Sequence, residues 1–333
     1  MNKKVYCEFE CLKEFVKSCP NPMDNLEGAI SWKKMYDFLY YAYKYFDVPN
    51  SHIASEASKN KLLLQLIRNG NFCHDKEFPN LQDPSKIDFN PEKKNSVYLS
   101  QIGKKQKDII SSEYGIIILG KDDILKFSKR FGKVHKAIGK KSEMKWSDLI
   151  PHEMKTANSL ILSDNYILSD TKRMNENLVT ILDSLLPYTS KFTFPVFIYT
   201  YDLRGDEKGR FKLLRERLES IRPALSFKLT ICKVYKEDFH DRNLITNNLY
   251  IECGSGFDLV SNGISTKRTN IRISYPFMIY EDGKDSEKEA YLNFLSDIIT
   301  VDKRDHKFQF DYWGDEELEN DLIRYYKSEL LKK

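Results

Sequence analysis

Residues 239–258 read Phe239-His-Asp-Arg-Asn-Leu-Ile-Thr-Asn-Asn-Leu-Tyr-Ile-Glu-Cys-Gly-Ser-Gly-Phe-Asp258, and no other stretch of the 333-residue chain concentrates as many chemically versatile side chains. Two β-prone runs flank the Asn247-Asn248 pair, which predicts a tight β-hairpin. Alternate side chains of a strand share a face, so His240 and Arg242 are predicted to point the same way. Guanidinium binds phosphate oxygens in a planar fork, and imidazole acts as a nucleophile or an acid–base group near neutral pH.

The spacing of these residues matches a known signature. The phospholipase D superfamily carries His-x-Lys-x4-Asp-x6-Gly-Ser-x-Asn, and this chain has His240-x-Arg242-x4-Asn247-x6-Gly254-Ser255-x-Phe257. Every interval agrees, while three residue types differ. Over roughly residues 155–305 the chain resembles the single-motif, His-x-Arg branch of that superfamily. This branch is similar to nuclease members and to the phospholipase D-like C-terminal domain of microtubule-interacting-and-transport proteins.

The resemblance implies cleavage of a phosphodiester bond without a metal ion or another cofactor. One histidine attacks phosphorus, and the histidine of a second motif protonates the leaving oxygen. At the matching positions, His240 becomes the nucleophile or acid, Arg242 the phosphate clamp, Asn247 an orienting partner, and Ser255 a contact to phosphate or histidine. Only one motif is recognisable, so a complete site requires a homodimer with two His240 side chains facing each other across a two-fold axis.

Three further residues are candidate substrate contacts by the same resemblance. Asp164 and Tyr166 follow a predicted buried strand, where this branch closes its first strand near the active face. Asp258 adjoins Phe257, which stands in place of the signature's last asparagine. Two interpretations remain open: a phosphodiesterase, most readily a nuclease acting on DNA or RNA, and an inactive module that binds nucleic acid or anionic phospholipid headgroups. A nuclease of this size would also suit a defence effector.

Composition favours an ordinary globular protein and excludes several other classes. Lys and Arg (53) barely exceed Asp and Glu (49), so the net charge of +4 does not by itself indicate a nucleic-acid partner. The sequence contains no apolar run long enough for a transmembrane helix and begins without a secretory hydrophobic region, which favours a cytoplasmic location. Its six cysteines are therefore expected to be free thiols.

Residues 121–145 are locally basic and are predicted to form a helical face. Lys126, Lys129, Arg130 and Lys133 recur at helical or near-helical intervals. Such a face can neutralise phosphates and would make nucleic-acid binding salt-dependent. The alternative, a solvated helix face without a partner, fits the pattern equally well.

The length predicts two domains. Residues 1–150 read as a separate, smaller α/β domain, with helices at 31–46 and 55–68 and a buried strand at 114–120. Residues 151–333 read as a phospholipase D-like α/β domain, a mixed-sheet sandwich. Its pattern runs strand, helix, strand, helix, strand and then the motif hairpin.

The first domain offers a second type of site. It contains acids that could hold a metal ion, as in a PIN-like nuclease: Glu8, Glu10, Glu27, Asp122 and Asp123. Their spacing matches no diagnostic motif, so solvated surface acids are the simpler interpretation. A role of this domain in recognition or assembly remains equally open.

Overall fold

The computed structural model describes residues 4–67, 71–150, 156–239, 242–278, 286–303 and 312–314. Its internal contacts divide the chain into two compact units. The first comprises Met1–Ser111, Ile116–Gly132 and Phe277–Gly283, and the second Ser112–Gly115, Lys133–Pro276 and Lys284–Lys333. Each unit contains helices and a sheet, one parallel and one mixed, so the predicted α/β class is confirmed.

A five-stranded parallel sheet forms the centre of the first unit. Its strands run in the order β3-β2-β1-β4-β5, so the chain starts in the middle and builds outward twice. In chain order these strands, β1 to β5, are Lys4–Cys7, Tyr43–Phe46, Phe72–His74, Val97–Leu99 and Ile117–Leu119. β1 and β4 are buried throughout, as expected for the inner strands of a parallel sheet.

Helices connect these strands. In chain order α1 to α8 are Phe9–Lys17, Leu26–Tyr41, Asn50–Ala57, Lys61–Ile67, Pro91–Lys94, Lys104–Tyr114, Lys121–Ile124 and Phe127–Arg130, with a 3-10 turn at Pro84–Lys86. Asn25 caps α2, because its side chain accepts a hydrogen bond from the Gly28 N–H at 2.8 Å.

The helix predicted over residues 31–46 is wrong at its C-terminal end. α2 stops at Tyr41, and the four residues of β2 pair with β1 instead. Lys44 explains the stop. Its fully buried ammonium donates to the carbonyls of Leu39 (2.8 Å) and Ala42 (2.7 Å), which the ended helix leaves open. Burial lowers the pKa of Lys44 to about 8.

An eight-stranded mixed sheet forms the centre of the second unit, in the order β15-β9-β8-β7-β10-β11-β14-β6. β7, β8 and β9 are parallel, whereas β10, β11, β14 and β6 alternate in direction. A separate two-stranded ribbon joins β12 to β13. In chain order β6 to β15 are Val134–Ile138, Leu160–Ser163, Phe194–Thr200, Phe227–Lys233, Asn243–Thr246, Tyr250–Cys253, Val260–Ser261, Ile264–Ser265, Thr269–Ser274 and Tyr312–Gly314.

The helices of the second unit are α9 (Trp146–Leu149), α10 (Thr171–Arg173), α11 (Thr180–Leu185), α12 (Glu207–Ile221) and α13 (Ser286–Lys303). A π-helical stretch, Met174–Val179, joins α10 to α11, and a 3-10 turn follows β14 at Pro276–Met278. No helix among the described residues is both long enough and apolar enough to span a lipid bilayer.

The second unit reaches further towards the N-terminus than the predicted division at residue 150. Its long run begins at Lys133, because β6 pairs with β14 over five residues at the end of the sheet. The predicted hairpin around Asn247-Asn248 is confirmed, since β10 and β11 are antiparallel neighbours joined by these residues.

Candidate functional site at one edge of the second sheet

Strand direction brings the predicted site residues of distant segments to one edge of the second sheet. The last residue of β7, Ser163, pairs with the first residue of β10, Asn243, because these strands are antiparallel. The end of β11, Cys253, pairs in turn with Ile271 near the start of β14. Residues just after β7 and β11, and just before β10 and β14, therefore share this edge. We call them the edge cluster: Asp164, Arg242, the turn Gly254–Asp258, and Lys267.

Asp164 is the buried carboxylate of the edge cluster. It follows β7 directly, is 2% exposed, and accepts hydrogen bonds from the backbone N–H groups of Tyr166 (2.8 Å) and Phe257 (2.6 Å). Burial raises its pKa to about 6, and the neighbouring Asp258 carboxylate raises it further, while both N–H donors and the Arg242 guanidinium act in the opposite direction. The predicted neighbourhood of Asp164 and Arg242 is thus present in the fold.

Gly256 marks the point at which three charged side chains meet. Its φ of +94° is a backbone conformation that favours glycine. A Cβ atom on Gly256 would lie 2.9 Å from Asp258 Oδ1, 3.0 Å from Asp164 Oδ2 and 3.8 Å from Arg242 Cγ. Any larger residue would therefore push apart the groups of the edge cluster.

Asp258 connects two cations that the sequence did not single out. Its Oδ2 lies 3.2 Å from Arg173 Nη1, and its Oδ1 accepts from Lys267 Nζ at 2.6 Å. Both cations keep about two-fifths of their side chains exposed, 42% and 40%. The Lys267-Arg268 pair just before a predicted β segment was a signal for a basic edge, but its contact with Asp258 required the tertiary fold.

Ser255 lies in the edge cluster, but its two hydrogen-bond donors are already used. Its hydroxyl donates to the Arg268 carbonyl oxygen at 2.7 Å, and its N–H donates to Thr269 Oγ1 at 3.0 Å. Its role here is to fix the Gly-Ser-Gly turn against β14. Tyr166 contributes the N–H that binds Asp164, and its half-buried side chain lies beside the same loop.

Asn247 does not belong to the edge cluster. It follows β10 at the end opposite Arg242, about 16 Å away at the usual strand rise. The side chain is fully buried, donates from Nδ2 to the Gly115 carbonyl at 2.7 Å, and accepts at Oδ1 from the Asn158 N–H at 3.0 Å. Its predicted role as an orienting partner in catalysis is therefore replaced by a structural one.

The two remaining motif positions differ in what the structure says about them. His240 lies outside the described residues. Phe257 is fully buried with its ring centroid 5.7 Å from that of Trp146, so it fills the core behind the turn. Its backbone N–H is the group that binds Asp164.

Comparisons with known proteins leave the family open. No protein-family model matches the chain, and no curated protein matches it. Among solved structures, TrmBL2, an archaeal chromatin protein with a novel mode of DNA binding, gives a TM-score of 0.25 at 11% identity over 51% of this chain and 52% of its own. The Argonaute of Marinitoga piezophila with a 5′-OH guide RNA gives 0.16 at 10% identity over 87% and 48%. This chain spans about half the length of each protein.

The predicted helical face in residues 121–145 is wrong. The segment splits into α7, α8 and the strand β6, so its basic residues do not share one helix surface. Arg130 instead pairs with the buried Asp123, with 2.6 Å between Nη1 and Oδ1. Lys126, Lys129 and Lys133 are exposed, but the first two belong to the first unit and Lys133 to the second.

The acids of the first unit are engaged one by one. Glu8 accepts from the Ser100 hydroxyl at 2.5 Å and from the Gln101 N–H at 2.8 Å. Asp123 is buried between Lys107 and Arg130, whereas Glu27 and Asp122 are exposed. Within the described part of the chain, no three metal-ligand side chains converge on one point.

Asp164 should make stability depend on pH. Its folded pKa of about 6 lies above the ordinary 3.8, so between these values the folded chain binds more protons and stability falls as pH rises. A shift of this size corresponds to about 3 kcal/mol, lost between about pH 4 and pH 7. We expect the free energy of unfolding of wild type minus that of Asp164→Asn, measured in urea, to fall by this amount. A difference independent of pH would contradict the assignment.

Proposed function

We propose that this protein is a metal-independent phosphodiesterase, most readily a nuclease, whose site is the edge cluster completed by His240. The observation that carries the proposal is the meeting of Arg242 with a buried, hydrogen-bonded carboxylate and two half-exposed cations at one sheet edge. Such an arrangement fixes a guanidinium without neutralising its whole surroundings. Phosphate oxygens are the ligands that guanidinium and ammonium groups favour.

The departures from the phospholipase D signature leave this proposal intact. Asn247 is bonded to the Gly115 and Asn158 backbones far from Arg242, so the missing carboxylate at position 247 removes nothing from the edge cluster. Phe257 supplies its N–H to Asp164 while its ring packs in the core. Arg242 retains the positive charge of the signature lysine. Support for a phospholipase D-like fold comes from the confirmed order of strands around the motif hairpin.

The proposed reaction has two steps at phosphorus. The His240 imidazole attacks phosphorus and forms a P–N bond, while the leaving oxygen takes a proton from a second imidazole. That second imidazole then removes a proton from water, and the resulting hydroxide breaks the P–N bond. Arg242 holds the non-bridging oxygens throughout, and Asp164 positions Arg242. The second imidazole is supplied by His240 of another copy, so the active species is a homodimer.

The proposal is tested with labelled single- and double-stranded DNA and RNA in the presence of EDTA. Wild type is expected to cleave at least one substrate despite the chelator, and His240→Asn is expected to lose more than about a thousandfold, since a nucleophile is removed. His135→Asn, an exposed histidine on β6, is the matched control and should cleave like wild type. Cleavage that EDTA abolishes and His240→Asn retains would disprove the proposal.

Mixing wild type with His240→Asn tests the homodimer separately. If one site needs both copies of His240, activity should fall with the square of the wild-type fraction once the subunits have exchanged. A linear fall would mean that each copy of the chain works alone.

A binding module without catalysis is the second candidate, because Arg173 and Lys267 both pair with Asp258 and leave a site of moderate charge. Such a module would bind nucleic acid with a shallow salt dependence, reflecting few phosphate contacts. Vesicles containing anionic phospholipids separate the lipid alternative. Binding without any cleavage by wild type would favour this candidate.

A further inference from the structure

A cavity in the first unit lies apart from the edge cluster. It has a volume of about 370 Å³ and is formed by the segment that follows β3 together with α5. Its apolar wall consists of Phe78, Pro79 and Ile87, and Lys93 also lines it. This volume is at the lower end of the range for small-molecule sites, about 300–1,000 Å³. The cavity therefore suits a ligand the size of one nucleotide.

Lys93 is the group that points to a ligand. The residue is only 6% exposed, yet its ammonium has no hydrogen-bond or ion-pair partner in the part of the chain that the structure describes. Its backbone is fully used: the N–H donates to Asn90 Oδ1 at 2.9 Å, and the carbonyl accepts from the Tyr98 hydroxyl at 2.9 Å. A buried ammonium without a counter-charge is costly, so an anion in the cavity would stabilise it.

The other charged groups of the cavity limit the charge of that anion. Asp83 and Lys86 pair with each other at 2.7 Å, and Glu77 and Asp88 are exposed. Lys93 can therefore balance one negative charge. A phosphodiester carries one charge, whereas a phosphomonoester carries nearly two near neutral pH.

The remaining lining matches the rest of a nucleotide. Phe78 is half-buried and presents an aromatic surface, on which bases stack irrespective of sequence. The carboxylates of Glu77 and Asp88 accept hydrogen bonds, and base amino groups and ribose hydroxyls donate them. We propose that this cavity binds a single nucleotide through a monoanionic phosphodiester, with Lys93 as its counter-charge.

Two sources share this chemistry, a 3′,5′-cyclic mononucleotide and one nucleotide within a strand. Calorimetric titration of the whole chain with the four cyclic mononucleotides and with short oligonucleotides distinguishes them. Nucleosides without phosphate and nucleoside 5′-monophosphates test the charge requirement. We expect saturable binding of at least one phosphodiester, weaker by about tenfold or more for the corresponding nucleoside and monophosphate.

Lys93→Met tests the assigned residue, because methionine keeps the length of the stem and removes the charge. It should weaken phosphodiester binding by about tenfold or more, while Lys94→Met on the same short helix should leave binding unchanged. Without ligand, Lys93→Met should melt at the same or a higher temperature, which shows that the variant folds. Absence of binding by every phosphodiester at about 1 mM, or binding that Lys93→Met leaves intact, would overturn the proposal.

Discussion

Replacing Asn247 by aspartate, the residue of the phospholipase D signature, is expected to destabilise the protein and to bring no gain in activity. The fully buried Asn247 amide donates to the Gly115 carbonyl at 2.7 Å. A carboxylate there loses this donor and places a negative charge against a carbonyl oxygen. Removing one partner of a buried polar pair and leaving a charge unpaired costs about 3–5 kcal/mol. Urea denaturation at neutral pH measures this loss.

Asn270→Asp is the matched control for Asn247→Asp. Asn270 is an exposed residue of β14 in the same sheet, so the same chemical change should alter stability by less than about 0.5 kcal/mol. The loss in Asn247→Asp should also shrink at acidic pH, because a protonated carboxyl can again donate to Gly115. A variant as stable as wild type and more active would return position 247 to the catalytic site.

Asp123→Asn is expected to destabilise the first unit by about 3–5 kcal/mol. The carboxylate of Asp123 accepts from Lys107 Nζ at 2.6 Å, from Arg130 Nη1 at 2.6 Å and from the Gly120 N–H at 2.8 Å. Asparagine removes the negative charge and leaves the Lys107 ammonium buried, with 5% of the residue exposed. Thermal unfolding followed by circular dichroism should show the transition of the first unit moving down.

The neighbouring acid provides the control for this change. Asp122 is exposed, so Asp122→Asn should stay within about 0.5 kcal/mol of wild type. The double variant Asp123→Leu with Lys107→Met should recover part of the loss, since an apolar pair of similar size can replace a buried ion pair. Equal effects at positions 122 and 123 would contradict a buried ionic role for Asp123.

Local patterns predicted the elements on which neighbouring residues decide the outcome. The hairpin around Asn247-Asn248 formed because two β-prone runs flank a turn pair. The amphipathic helix expected after the second strand of the second unit is α12, and the buried strand expected after residue 159 is β7. Asp164 was placed at the end of β7 from the same pattern, and its neighbourhood with Arg242 depends only on strand direction.

The pattern failed where distant segments decide the structure. The apolar spacing of residues 31–46 continues past Tyr41, but pairing with β1 converts its end into β2. The basic residues after position 132 keep near-helical spacing, but β14 captures them as strand β6. Asn247 finds its partner at Gly115, 132 residues earlier in the chain, which no interval within the motif could reveal.

The position of β6 at the end of the second sheet also limits how copies of this chain can associate. An edge strand offers unpaired backbone groups to another strand, which is a route to fibres and aggregates. Lys136 stands at the centre of β6, between Val134 and Ile138. Two such strands aligned antiparallel on their centres would set lysine against lysine, and like charges directly opposite each other are unfavourable. The charge on this strand therefore opposes open-ended growth of the sheet from molecule to molecule.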